Sequence, residues 1–356
     1  MALSSLPNEI TVQILQSCNS ISDVLALAAT CRHLRTVLHS PSNRLTTLYE
    51  VAEAQFGPLE EAIRVLTYND SQPAHVVRPT PPRSLPLLEQ ILELGHVANT
   101  WADMYPMKKW RKEGSVLRRL LTPMERRHLR RACYRIALYS LAYHTQDYPT
   151  TTRRSPAIIR ERAALIRPWS TRELAEMMDL QAVLRRTIQS SIAPSNQKVA
   201  KIQQRKHRDC FVFQQAKNPR SRVLMQQGHH LAPSSQVPKF VRTQEDIYGT
   251  SQGWGDEDVH CYVLDDMLKL TPSQLLDLYS TVVTTAGSYQ LGKCTKEWVE
   301  AFVYQVDGGD GWFEHNGQTL GETIQGVIED RGDEIADVQK GIDDGWFGIA
   351  QCSVHG

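Results

Sequence analysis

Histidine and cysteine pairs are the residues of this sequence with the clearest potential for metal chemistry. His207 and Cys210 lie close together, and His229–His230 and His260–Cys261 are adjacent pairs. Zinc sites built from cysteine and histidine use short, paired ligand spacings. The gaps between these pairs are too long for such a site, so we predict no metal ligands in this chain.

A second candidate for ion binding is the stretch DGGDGWFEHNG at residues 307–317. A calcium-binding EF-hand loop needs oxygen ligands at alternate positions and a glycine at its sixth position. Here Gly309 and Gly311 stand at ligand positions, and Trp312 occupies the place of the required glycine. The stretch therefore favours a turn beside a packed aromatic ring.

We also searched the sequence for motifs of catalysis and nucleotide binding. The sequence has no HExxH zinc helix, no complete GxxxxGK[ST] phosphate loop and no GxGxxG after a strand. We predict a protein that is not an enzyme and needs no cofactor. An unrecognised enzyme would instead show a deep pocket with convergent polar groups.

The run KKWRKEGSVLRRLLTPMERRHLRRACYR at residues 108–135 has eleven basic and two acidic side chains. In the helix expected after Thr122, one side carries Arg126, Arg127, Arg130 and Arg131, and the other carries Leu129, Cys133, Ile136, Ala137 and Leu141. This pattern predicts an amphipathic helix with a solvated basic face. The four arginines are candidate contacts for phosphate, in nucleic acid or in a phosphorylated or acidic substrate.

The charge of the chain is balanced overall and uneven along its length. Residues 244–356 hold 21 acidic and five basic side chains, whereas residues 1–243 hold 18 acidic and 35 basic ones. The two parts are expected either to pair with each other or to meet separate partners. Trp254, Trp312 and Trp346 lie in the acidic part, as anchors for a partner or, as we favour, as core residues.

Most of the sequence has helical patterning. Capping boxes begin at Thr122, Ser170 and Thr271 and open helices to Tyr143, about Ser191 and Val283. Residues 45–67, broken at Gly57-Pro58, and residues 87–101 and 296–306 are also expected to be helical, and the proline-rich residues 71–86 to be extended. Only residues 210–213 and 260–264 have the pattern of short strands, so the fold class is mainly α.

The first forty residues divide into short amphipathic helices. Pro7 suits a first helical position, and Ser22 or Asp23 suits the N-cap of the second helix. Helices of about ten residues are not stable alone, so their apolar faces need a partner inside or outside the chain.

This stretch resembles an F-box. The family pattern has Leu-Pro, an acidic–aliphatic pair, Ile-Leu, a polar turn, an Asp-Leu-Leu-like helix start and a Cys-Arg pair. The sequence supplies Leu6-Pro7, Glu9-Ile10, Ile14-Leu15, Asp23-Val24-Leu25, Leu27, Cys31-Arg32 and Leu34. It departs from the pattern at Cys18, where Leu is frequent, and at Leu34, where Trp is frequent.

The resemblance implies a substrate-recruiting subunit of an SCF-type (Skp–cullin–F-box) ubiquitin ligase. Its partners would be the Skp adaptor, through it a cullin, and an unknown protein substrate. The expected adaptor contacts are Leu6, Pro7, Ile10, Ile14, Leu15, Leu25, Leu27, Cys31 and Leu34. Two alternatives stay open: the helices simply pack on residues 45–67, or the chain is a regulatory protein that binds nucleic acid or phosphorylated partners through residues 108–135.

The sequence predicts four regions: an F-box at residues 1–42, a basic helical region at 43–213, a loop-like segment at 214–258 and an acidic, irregular Gly/Trp/Asp-containing region at 259–356. Seven separated cysteines without a CxxC pair are typical of reduced intracellular thiols. The sequence has no signal-peptide pattern and no apolar run long enough for a membrane span. We therefore expect cytoplasmic or nuclear residence without a membrane partner.

Overall fold

The structure is a computed structural model of the 356-residue chain. It describes residues 6–110, 119–145, 148, 150–201, 253–255, 257–285 and 317–350. These residues form helices and contain no strand, which confirms the mainly α prediction. The chain divides into two units: residues 1–186, 268–277 and 318–356 form the first, and residues 187–267 and 278–317 form the second.

Helices α1 to α7 build the N-terminal part of the first unit. They are α1 (Asn8–Gln16), α2 (Ile21–Thr30), α3 (Arg32–His39), α4 (Pro41–Phe56), α5 (Leu59–Leu66), α6 (Leu85–Lys109) and α7 (Pro123–Tyr143). Helices α1, α2 and α3 all pack on α4, and α4 packs in turn on α5 and α6. Helix α7 contacts both α5 and α6, so each part of this bundle is supported by the next.

Six further helices follow among the described residues. They are α8 (Pro156–Ile166), α9 (Thr171–Thr187), α10 (Glu257–Met267), α11 (Pro272–Thr285), α12 (Leu320–Asp330) and α13 (Ile335–Asp343). In the first unit α12 packs on α8 and α13. In the second unit a π-helical turn, Ile188–Ile192, continues α9 and contacts α10, where His260 Nε2 lies 2.7 Å from the carbonyl oxygen of Ala193.

The capping boxes predicted from sequence are confirmed. At α7 the Thr122 hydroxyl accepts from the Glu125 amide at 3.3 Å, and the Glu125 carboxylate accepts from the Thr122 amide at 2.8 Å. The same reciprocal bonds join Ser170 to Glu173 and Thr271 to Gln274. Each pair satisfies two amides that a helix start leaves without partners.

One apolar core joins the first helices to α4 and α6. Its buried members are Leu15, Val24, Ala28, Leu38, Leu48, Tyr49, Val51, Ala52, Phe56, Leu59, Leu88 and Ile91. Helix α6 crosses Phe56 at Gly95, where a Cβ atom would lie 2.4 Å from the Phe56 ring. Only glycine permits this close approach, which brings α6 onto the end of α4.

The carbonyl groups at the break between α4 and α5 find partners on α7. The Tyr134 hydroxyl donates to the Phe56 oxygen at 2.7 Å, and Arg130 Nε donates to the Gly57 oxygen at 2.9 Å. Carbonyls at a helix end need such partners when they are buried. The break predicted at Gly57-Pro58 is therefore confirmed, and it is fixed by side chains far away in sequence.

Four local predictions need correction. Residues 260–264 belong to α10, in which His260, Leu264 and Met267 are buried at helical spacing. The prediction of a strand was wrong because five residues are too few to distinguish the helical repeat of 3.6 residues from the strand repeat of two. The second helix is capped by Ser20, whose hydroxyl accepts from the Asp23 amide at 3.0 Å. Helix α6 is longer than predicted, and α1 begins at Asn8 with Pro7 as its N-cap residue.

Several predictions fall outside the described residues. These include the strand at 210–213, the helix at 296–306 and most of the loop-like segment at 214–258. At the end of that segment Trp254 is buried, and its amide donates to the Pro194 oxygen at 2.9 Å. Helix α10 begins just afterwards at Glu257.

Candidate partner-docking surface

Helix α1 has one buried side and one exposed side that includes the apolar residue Ile10. Thr11 and Leu15 are fully buried, and the Thr11 hydroxyl donates to the Pro7 oxygen at 3.1 Å. Pro7 is exposed and Ile10 is 42% exposed, while Ile14 is half-buried between the two sides. The helix therefore fills the core with one set of side chains and leaves Ile10, next to Pro7, in solvent.

Helix α2 repeats this arrangement. Val24 and Ala28 face the core, and the backbone amide of Ile21 donates to Gln55 Oε1 on α4 at 3.1 Å. Leu25 is 53% exposed, and Leu27 is half-buried. The bond to α4 fixes where α2 begins, so the exposed Leu25 projects from a supported helix.

Helix α3 contributes mainly to the interior. Leu34, Val37 and Leu38 are buried. Cys31 caps this helix: its sulfur accepts from the Leu34 amide at 3.5 Å and remains half-buried. The Cys-Arg pair of the sequence pattern thus marks a helix start.

The nine residues predicted as adaptor contacts fall into three groups. Exposed are Pro7, Ile10 and Leu25; half-buried are Leu6, Ile14, Leu27 and Cys31; buried are Leu15 and Leu34. The last two belong to the protein interior. A contact of Leu15 or Leu34 with the adaptor stays a prediction. Cys18, where the family often has Leu, is half-buried and packs against the same core.

The four arginines of α7 are engaged within the chain. Arg126 pairs with Asp103 at 2.6 Å, Arg127 with Glu53 at 2.8 Å and Arg131 with Glu176 at 2.6 Å. Arg130 is only 6% exposed and also donates to Asn99 Oδ1 at 3.2 Å. The predicted solvated basic face is therefore wrong at Arg130. On the opposite side Leu129, Cys133, Ile136 and Ala137 are buried as predicted, and Leu141 is exposed.

A buried polar cluster, which sequence patterns did not reveal, connects α6, α9 and the C-terminal residues. Asp179 accepts from the Tyr105 hydroxyl at 2.6 Å, from Lys109 Nζ at 2.7 Å and from the Ile349 amide at 3.1 Å. Asp179 and Tyr105 are almost fully buried. Burial and the adjacent Asp179 carboxylate raise the pKa of Tyr105, so its hydroxyl stays protonated and acts as a donor.

Glu176 lies one helical turn before Asp179 and extends the buried polar cluster toward α7. Arg131 donates to both of its carboxylate oxygens, and His128 Nδ1 lies 3.7 Å from Oε1. Burial raises the pKa of Glu176 to about 7, while burial and neighbouring arginines lower the pKa of His128. These groups have catalytic residue types, and their observed contacts are with one another.

His144 is held as a neutral ring between two chain segments of the first unit. The Thr319 amide donates to its Nε2 at 3.1 Å, so Nε2 carries no proton, and Nδ1 faces the Lys269 oxygen at 3.2 Å. Burial lowers the pKa of His144 to about 3, in agreement with this geometry. The ring acts as a structural bridge.

Basic and acidic segments also pair inside the first unit. Glu322 on α12 lies 2.9 Å from Arg153 and 3.1 Å from Arg162, and Asp330 lies 2.7 Å from Arg167. Part of the charge asymmetry of the sequence is thus compensated within the chain. Among the described residues of the acidic part, Trp346 is 67% exposed and Tyr262 is 52% exposed, whereas Trp254 is buried. The favoured assignment as a core residue is therefore confirmed for Trp254 and wrong for Trp346, and Trp312 lies outside the described residues.

Other chemistry finds little support in the residues that the structure describes. They contain no group of three or more His, Cys, Asp or Glu placed to hold a metal ion. No helix among them is long and apolar enough to cross a membrane. Residues 249–253, GTSQG, match the serine-nucleophile pattern GxSxG, but that motif acts at a strand-to-helix turn. Ser251 lies outside the described residues, so we assign it no role.

The comparisons with known proteins agree with the N-terminal geometry. The family model described as F-box-like matches residues 3–44. Neither the curated proteins nor the solved structures gave a match to the chain. The match covers α1, α2, α3 and the start of α4, the helices that carry the exposed Ile10 and Leu25. Residues 3–44 of this chain therefore form an F-box-like domain.

Proposed function

We propose that this chain is a substrate-recruiting subunit of an SCF-type ubiquitin ligase. In this role the F-box-like domain docks the Skp adaptor, the adaptor links the chain to a cullin, and the remaining residues hold a protein substrate. Ubiquitin transfer belongs to the partner proteins. The chain itself acts without an active site or a cofactor.

The observation that carries this proposal is the exposure of apolar side chains on a domain whose own core is filled. Leu15, Val24 and Leu38 are buried, and yet Ile10 and Leu25 remain about half exposed beside them. Covering the exposed part of an aliphatic side chain contributes about 1 kcal/mol. Exposed apolar residues on supported short helices suit a partner that completes the helical packing.

The burial pattern also ranks the proposed contacts. Pro7, Ile10 and Leu25 are the proposed centre of the adaptor interface, because their side chains are exposed. The half-buried residues Leu6, Ile14, Leu27 and Cys31 are proposed as its edge. Leu15 and Leu34 act from beneath by holding α1 and α3 in place.

A reconstitution with purified proteins tests the proposal. The chain is mixed with the Skp adaptor and a cullin, and the mixture is separated by size-exclusion chromatography. We expect the wild type to elute with both partners and the double variant Ile10→Asp/Leu25→Asp to elute alone with an unchanged circular dichroism spectrum. Ile159→Asp is the matched control, because Ile159 on α8 is 46% exposed and lies outside the F-box-like domain.

Two outcomes would contradict the proposal. The first is a wild-type chain that binds no adaptor. The second is a double variant that stays folded and still elutes with the adaptor and the cullin.

The alternative function, binding of nucleic acid or phosphorylated partners through residues 108–135, gains no support from the contacts of α7. All four candidate arginines have carboxylate, carbonyl or amide partners within the chain. We therefore expect weak DNA and RNA binding at low salt that is lost at moderate salt. Tight binding whose affinity falls steeply over a salt series would favour the alternative.

A further inference from the structure

The proline-rich segment between α5 and α6 contains a region that we call the strap, residues 77–84. Its sequence is VRPTPPRS, and it lies in neither helix, strand nor turn. Within the described part of the chain, the backbone groups of residues 77–83 make no hydrogen bonds to protein. Such an extended, solvated backbone is typical of a polyproline II helix.

The burial of the strap repeats every third residue. Arg78, Pro81 and Ser84 are half-buried, and the residues between them are exposed. Through Arg83 this repeat matches the three residues per turn of a polyproline II helix, with one edge on the protein and two edges facing solvent. Ser84, with φ −146° and ψ 159°, already lies in the β region. Pro79 and Pro82 lie on one outer edge, and Val77, Thr80 and Arg83 lie on the other.

The prolines themselves favour this conformation. Pro79, Pro81 and Pro82 fix their own φ angle near the polyproline II value and remove three amide donors. The residue before each proline is also restricted to extended conformations. Most of the strap is therefore held in one conformation by its own sequence.

Contacts at each end hold the strap on the protein. The guanidinium of Arg78 donates to the Thr67, Asn69 and Gln72 carbonyls at the end of α5 and lies over the Tyr68 ring. At the other end the Tyr49 hydroxyl donates to the Ser84 oxygen at 3.0 Å, and the Ser84 hydroxyl caps α6. Between these two attachments Pro79 and Pro82 are exposed, whereas the Arg83 guanidinium lies over the Tyr49 ring, 5.3 Å from the ring centroid.

We propose that the strap is a docking site for a partner domain that binds polyproline II helices in an aromatic-lined groove, of the SH3 type. Pro79 and Pro82 would enter the groove, because they are exposed and one turn apart. The exposed Arg83 directly follows Pro82, and its positive charge matches a groove bordered by carboxylates. A segment that is already extended loses little conformational entropy on binding, which favours its recognition.

This inference extends beyond the proposed adaptor function and does not depend on it. None of the proposed adaptor contacts lies in the strap. The variant Pro79→Ala/Pro82→Ala is therefore expected to bind the Skp adaptor as the wild type does, so the two proposals fail separately.

The experiment titrates the purified full chain against a panel of purified SH3 domains by isothermal calorimetry. We expect at least one domain to bind with micromolar affinity. Pro79→Ala/Pro82→Ala is expected to weaken this binding at least tenfold, and Arg83→Glu to weaken it at least threefold. Pro73→Ala is the matched control, because Pro73 is exposed in the same connection and lies outside the strap; it should leave the affinity unchanged.

Three results would overturn the inference. They are a panel without any binding at millimolar concentrations, binding that survives the loss of both prolines, and binding that Pro73→Ala weakens as strongly as the double variant. The proline variants change exposed residues outside the helices, and an unchanged circular dichroism spectrum verifies that they are folded.

Discussion

The F-box-like domain and the interior between α6, α7 and α9 use their side chains in opposite ways. In the F-box-like domain the core is mainly apolar, and Ile10 and Leu25 are left over in solvent. In the interior Asp179 and Glu176 are buried and are bound to Lys109 and Arg131. Side chains that are already paired inside the protein stabilise the fold, whereas exposed apolar side chains are free to meet another protein.

This difference also shows why residue type alone is a poor guide to function here. Arg131 belongs to a type that binds phosphate, and Tyr105 and Asp179 belong to types that act in catalysis. Their geometry instead completes a buried network. Ile10 has no chemistry of its own, and its position makes it the better candidate for function.

Removing Asp179 is expected to produce the largest loss of stability. Asp179→Ala leaves the Lys109 ammonium, the Tyr105 hydroxyl and the Ile349 amide without their acceptor. Breaking a buried ion pair in this way costs about 3–5 kcal/mol. Urea unfolding followed by circular dichroism measures the change. Asp330→Ala, which removes an exposed pair with Arg167, is the control and should cost less than about 1 kcal/mol. Equal losses would contradict the distinction between the polar interior and the surface.

Two substitutions in α1 compare its two sides. Leu15→Ala removes a fully buried side chain and is expected to lower the free energy of unfolding by about 2–5 kcal/mol. Ile10→Ala changes a side chain that is 42% exposed and should cost less than about 1 kcal/mol. Urea unfolding of both variants gives the comparison. A loss for Ile10→Ala as large as that for Leu15→Ala would show that Ile10 belongs to the core.

His144, which bridges the segments of Lys269 and Thr319, makes the stability of the first unit sensitive to acid. Its pKa is about 3 in the folded chain and about 6.5 when unfolded, so the unfolded state binds more protons between these values. Its contribution to stability is fully present above pH 6.5 and falls as the pH drops toward 3. Between pH 7.5 and 5 we expect the wild type to lose about 2 kcal/mol more than His144→Gln. Urea unfolding at the two pH values measures this, and equal losses in both proteins would contradict it.

Local sequence signals located the helices that begin with capping boxes, because caps act within one turn. Thr122 and Glu125 are three residues apart, so their reciprocal bonds could be expected from the sequence alone. The burial of Arg130 could not be predicted from the sequence, because its acceptor is the Gly57 carbonyl of a distant segment. The candidate docking surface shows the same limit: the F-box pattern located the helices, and packing on α4 decided which of their apolar residues stay exposed.

The affinity of the Skp adaptor for single-residue variants tests the central claim most directly. Isothermal calorimetry compares the wild type, Ile10→Asp and the matched control Ile159→Asp at one salt concentration. If the exposed side of the F-box-like domain is the docking surface, Ile10→Asp weakens binding about tenfold or more while Ile159→Asp binds as the wild type does. Equal affinities of all three proteins, or no adaptor binding by the wild type, would contradict the claim.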